Sequence, residues 1–127
     1  MSKKIFVGFL VFSLLTVILA SCAIYDESST PKGPEVHMAG ASFLVSSVNL
    51  KKGDMLTLVD DASAEHIIKN GTWEGNTPKP GTEPGAPNVD VTLNGNDSAT
   101  IGPFNTAGTF QIFCTIHPGM NLTVNVQ

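Results

Sequence analysis

The run Gly108-Thr109-Phe110-Gln111-Ile112-Phe113-Cys114-Thr115-Ile116-His117-Pro118-Gly119-Met120 puts a thiol, an imidazole and a thioether at the spacing C-x2-H-x2-M. Soft sulfur donors with imidazole select copper over hard cations, and two histidines, one cysteine and a long, weak axial methionine make the geometry of electron-transfer copper. Cys114, His117 and Met120 supply three of those four donors. His66 is the candidate for the fourth: the polar turn Asp60-Asp61-Ala62-Ser63-Ala64-Glu65 interrupts an apolar strand, which resumes at His66-Ile67-Ile68. Taken singly, each has an ordinary reading: a buried Cys as a small hydrophobe, a Met as core filler, a His as a satisfied polar residue. At this spacing, after an aromatic-rich strand, metal ligation explains all of them together.

Such a site needs ligands that move little between two oxidation states, so strands must hold them. Strict alternation of apolar and polar residues in Val89-Asp90-Val91-Thr92-Leu93, Phe110-Gln111-Ile112 and Leu122-Thr123-Val124-Asn125-Val126 is the period-2 signature of half-buried strands. No long stretch has helical period. Turn signals at Lys52-Gly53-Asp54, Asn70-Gly71, Asn94-Gly95-Asn96-Asp97 and Gly102-Pro103 separate the runs. The pattern predicts strands over 35–39, 42–50, 54–60, 64–69, 88–94, 98–101, 108–114 and 121–126, an all-β sandwich of about eight strands. Residues 75–88, with Pro78, Pro80, Pro84 and Pro87, read as a surface loop. Cys114 then ends one strand, Met120 begins the next, and the loop between them carries His117.

The N-terminus sets the compartment. Lys3 and Lys4 precede an apolar stretch over 5–20, and Leu19-Ala20-Ser21-Cys22 closes it with small residues before a cysteine. This is a signal segment, kept out of the fold, and it is short of the ~20 residues that span a bilayer. Its end resembles the bacterial lipobox, which implies lipid attachment at Cys22 and cleavage before it. The expected organisation is a lipoprotein signal peptide over 1–21, a lipidated flexible tether over 22–34, and one domain over 35–127. With Cys22 modified, Cys114 has no disulfide partner, which again favours a metal.

From Cys22 on, the chain has five lysines, eleven acidic residues and no arginine, a formal charge of −6. That composition argues against nucleic-acid binding and against direct attraction to anionic lipid. Membrane contact is then expected through the N-terminal lipid, on the outer face of a bacterial membrane.

Gly108, Thr109, Phe110, Phe113, Cys114 and His117 fall on the G-T-Y-x-x-Y-C-x-x-H pattern of the small blue copper proteins, the cupredoxins, with Phe for Tyr, and Gly119 and Met120 extend the match. The compact Cys-His-Met loop resembles that of amicyanin. Upstream, Val48, Leu50, Gly53-Asp54 and the stretch reaching His66 resemble the family's approach to its first copper histidine. The resemblance covers 35–127 and implies a Greek-key β-sandwich with one type 1 copper held by His66, Cys114, His117 and Met120. Two departures stand out: Ile67 follows His66 where the family often has Asn, Ser or Thr, leaving Asp61 or Ser63 as replacements, and Glu65 precedes it in place of Pro.

The expected function is a membrane-tethered single-electron carrier, monomeric and not an enzyme, exchanging electrons with a transient protein donor and acceptor. The outer edge of His117, flanked by Ile116 and Pro118, is the expected electron port. A copper-binding or copper-delivery lipoprotein without a redox role is the alternative. A copper oxidase or nitrite reductase needs further metal sites, and only His37 is left over, best read as an ordinary strand histidine. Trp73 is expected to cap the sandwich core, with a role beside the copper loop as the alternative.

Overall fold

The computed structural model describes residues 33–127. The expected signal peptide, most of the tether and Cys22 lie outside the described residues. Pro34, at the end of the expected tether, already accepts a hydrogen bond from the Thr57 amide at 3.0 Å.

The described residues form β1 (Glu35–Ala39), β2 (Ser42–Phe43), β3 (Ser47–Leu50), β4 (Leu56–Asp60), β5 (Glu65–Glu74), β6 (Thr77–Pro80), β7 (Asp90–Asn94), β8 (Ser98–Ile101), β9 (Gly108–Cys114) and β10 (Asn121–Val126). One sheet has the order β2-β1-β4-β8 and the other β3-β10-β9-β5, with β7 and β6 both pairing β5. β1 with β4 and β3 with β10 are parallel, and the remaining pairs are antiparallel. The all-β sandwich is therefore as expected, and each sheet is mixed.

Alternation builds the core. Leu56, Leu58 and Asp60 of β4 point inward, as do Phe110, Ile112 and Cys114 of β9 and Leu122, Val124 and Val126 of β10. Burying each large apolar side chain contributes about 1.5–3 kcal/mol. Phe104, fully buried, comes from the loop before β9 and packs its ring 6.1 Å from that of Phe110.

Two expectations about the strands are corrected. The single strand over 42–50 is two, because Phe43-Leu44-Val45 breaks the alternation and the chain passes from one sheet to the other there: β2 pairs β1, whereas β3 pairs β10. The proline segment expected as loop contains β6, paired with the outer half of β5 through Gly71↔Pro80 and Glu74↔Thr77. A strand with one free edge tolerates proline there, since a missing N–H facing solvent breaks no ladder.

The outer half of β5 leaves the main sheet at Gly71, whose φ of +127° suits glycine. A Cβ there would stand 2.4 Å from the Lys79 carbonyl oxygen and 2.8 Å from the Phe113 ring. The β5–β6 arm thus lies against Phe113, which β9 directs to the opposite face from Cys114.

Candidate metal centre

Three strands end at one edge of the sandwich, and each brings a donor. Alternation in β5 turns His66, Ile68 and Asn70 inward, and His66 is fully buried. Cys114 closes β9, also fully buried, and Ile68 is its cross-strand partner. Met120, buried, leads into β10. The loop between is tied down by backbone bonds: Cys114 N–H to Met120 O at 3.0 Å, Met120 N–H to His117 O at 3.1 Å, and Thr115 N–H to Ile67 O at 2.8 Å. Gly119, at φ +79°, closes the turn.

The side chains converge. Donor atoms of His66, Cys114 and His117 all lie within 4.8 Å of one another. Cys114 Sγ is 3.4 Å from His117 Nδ1, and the two imidazole rings stand 4.9 Å apart, centre to centre, at 61°. Met120 is close by, completing the cluster of four. His117 is half-buried, between exposed Ile116 and Pro118. Water is therefore excluded from every donor except along the edge of His117.

The donor set fits copper. Both nitrogens of His66 are buried without a hydrogen-bond partner, a costly state that a metal bound to one of them would relieve at that nitrogen. Burial holds the His66 pKa below its ordinary value, opposed by the charge of Asp60 and reinforced by that of His117. The ring is thus kept neutral, the form that ligates a metal. A thiol, two imidazoles and a thioether make a set that hard cations do not favour.

Supporting contacts differ from those expected. Asp61 does not tie the ligand loops together; its Oδ2 is 2.8 Å from His37 Nδ1, and Glu35 lies 3.7 Å from the other nitrogen of that ring. His37 is thus engaged by carboxylates on the surface and is not one of the clustered donors. The main chain of Ser63 packs against Gly95, where an added Cβ would come within 2.8 Å of it. Glu65 is exposed.

Trp73 does not cap the sandwich core. The β5–β6 arm carries it onto the outer face, where its ring meets Phe113 edge-on at 6.0 Å. Its indole N–H donates to the Cys114 carbonyl at 2.7 Å. Asn121, next to Met120, accepts from the Trp73 amide at 2.7 Å and donates to the Trp73 carbonyl at 3.1 Å. One arm therefore clamps the residues on both sides of the ligand loop. Nothing local in the sequence signals this, because it follows from the bend at Gly71.

Asp60 is the residue that motif spacing passes over. Its side chain is fully buried, and Oδ1 lies 3.7 Å from His66 Nε2. The alternation Leu56-Thr57-Leu58-Val59-Asp60 is the signal that finds it, since it assigns Asp60 to the face of the two leucines.

No protein-family model and no curated protein matches the chain. Among solved structures it is similar to amicyanin from Paracoccus versutus, with 21% identity and a TM-score of 0.55 over 73% of this chain and 79% of that one. It is also similar to a purple cupredoxin from Nitrosopumilus maritimus, with 16% identity and a TM-score of 0.58 over 74% of this chain and 99% of that one. An oxidised mutant of amicyanin gives 20% identity and a TM-score of 0.54 over 73% of this chain and 80% of that one. The chain has the cupredoxin fold.

Proposed function

We propose that this chain is a single-electron carrier with one mononuclear type 1 copper held by His66, Cys114, His117 and Met120. The observation that carries the proposal is the convergence within 4.8 Å of a buried thiol at the end of β9, the His66 imidazole near the start of β5 and the His117 imidazole in the loop after β9. When bound, copper supplies a one-electron couple between Cu(I) and Cu(II).

The chain's own residues do the rest. Cys114 would be the thiolate donor, His66 and His117 the neutral imidazole donors and Met120 the weak thioether donor. β9 and β10 hold both ends of the loop, so the donors keep one arrangement across an oxidation change. The half-buried edge of His117, beside Ile116 and Pro118, is the route by which electrons enter and leave. A small apolar surface of this kind suits brief contact with a protein donor and acceptor. The protein works as a monomer, exported and held on the outer face of a bacterial membrane by lipid on Cys22.

A copper-delivery protein needs a site open to ligand exchange. Burial of His66, Cys114 and Met120 argues for the carrier over a copper-binding or copper-delivery lipoprotein. Anaerobic redox titration of the copper-loaded protein tests this. A reversible one-electron couple with an intense thiolate-to-copper absorption is expected; colourless protein, or copper held in one oxidation state only, would refute it.

A further inference from the structure

β4 alternates through Leu56, Leu58 and Asp60, so its last inward side chain is a carboxylate set among core residues. A buried carboxylate is costly unless its oxygens are engaged. Oδ1 accepts from the Ala62 amide at 3.0 Å, closing the turn that leads to His66, whereas Oδ2 has no hydrogen-bond partner. The polar group facing this carboxylate from across the turn is His66 Nε2, 3.7 Å from Oδ1 and itself without a partner. The separation needs to close by roughly half an ångström to become a hydrogen bond.

The two nitrogens of an imidazole point away from each other, so with Nε2 turned to Asp60 it is Nδ1 that remains for the donor cluster. A neutral imidazole that gives its Nδ1 lone pair to a metal carries its proton on Nε2. At a fully buried site that proton needs an acceptor.

We propose that Asp60 is the positioning residue of the metal centre: its carboxylate accepts the Nε2 proton of His66, fixes the tautomer that presents Nδ1, and lowers the reduction potential of the site. The inference rests on the copper reading above. Hydrogen-bonding a ligand histidine to a carboxylate raises the basicity of the ring, and a buried negative charge close to the metal favours the more positive oxidation state. One electron enters or leaves and the Nε2 proton stays between ring and carboxylate in both states. The neighbouring Asp61, engaged by His37, does not share this role.

The test uses the full-length protein in detergent, loaded with copper, as parent and Asp60→Asn. Asparagine keeps an oxygen for the Ala62 amide and so preserves the turn, while the charge is lost. The expected result is a preference for Cu(II) over Cu(I) reduced at least tenfold in the variant, an upward shift of about 59 mV for a one-electron couple. In the Cu(I)-loaded parent, nitrogen-15 NMR should find the His66 proton on Nε2, protected from exchange with water; this arm decides the matter if the variant does not fold. A blue variant whose preference changes less than twofold, or a parent His66 that carries its proton on Nδ1 or exchanges it freely, overturns the inference. A parent that takes up no copper overturns the electron-carrier reading and this inference with it.

Discussion

In the proposed centre Cys114 would differ from the other three donors in being the source of a charge-transfer colour as well as a ligand. Cys114→Ser is expected to abolish the intense visible absorption, read by spectrophotometry at equal copper loading; retained colour would exclude Cys114. Met120→Gln should keep copper while lowering the potential, because a harder oxygen donor in place of the thioether favours Cu(II), and cyclic voltammetry reads the sign. These residues were legible from type and spacing: C-x2-H-x2-M is local, and His66 stands where an apolar strand resumes. Asp60 was not, because a carboxylate beside Asp61 in a polar turn looks solvated. Only its register with Leu56 and Leu58 turns it inward, and its partner His66 lies on a different sheet.

β9 and β10 are readable because alternation in Phe110-Gln111-Ile112 and Leu122-Thr123-Val124-Asn125-Val126 is clean, whereas the pieces that differ from expectation owe their form to contacts distant in sequence. β6 forms in a proline-bearing segment since its partner, the outer half of β5, is already bent away from the main sheet. Trp73 reaches Cys114 and Asn121, 41 and 48 residues on, by way of that bend. The arm has a measurable role. Trp73→Phe keeps the ring near Phe113 but removes the 2.7 Å bond to the Cys114 carbonyl, and should destabilise the fold by about 1 kcal/mol. In a domain of this size that lowers Tm by about 4–8 °C. Gly71→Ala should cost more, at least about 1–3 kcal/mol, since it adds backbone strain at φ +127° to a Cβ only 2.4 Å from the Lys79 carbonyl oxygen. Thermal unfolding of the copper-free proteins checks both, and a Gly71→Ala variant as stable as the parent would mean that the arm is not held against Phe113.

At the scale of the molecule, Leu44, Val45 and Ile116 are the exposed large hydrophobic residues among the described ones. Ile116, the most exposed residue of its kind in the ligand loop, sits beside His117. Leu44 and Val45, also exposed, lead into β3, whose first residue pairs with Thr123 near the start of β10. Exposed Lys51 and Lys52 follow Leu50, the partner of Val126 near the other end of β10. A strand of six residues spans about 20 Å, more than two Debye lengths at physiological salt. Charge changes at the lysines are therefore screened from the His117 edge, whereas charge placed at Ile116 or Pro118 sits on it. Ile116→Lys and Pro118→Lys should each slow electron self-exchange, measured by NMR line broadening on mixtures of Cu(I) and Cu(II) protein, by at least tenfold, and move the potential little. Reversing the charge of Lys51 or Lys52 should leave the rate within about twofold, because screening at that distance removes most of the interaction. High salt separates the two ways in which a new lysine can act. If repulsion between like charges were its whole effect, screening would restore the parent rate; if it also breaks the dry contact through which the His117 edges meet, the loss persists. The persistent loss is the expected outcome, and full recovery in both variants would place the electron port elsewhere on the surface.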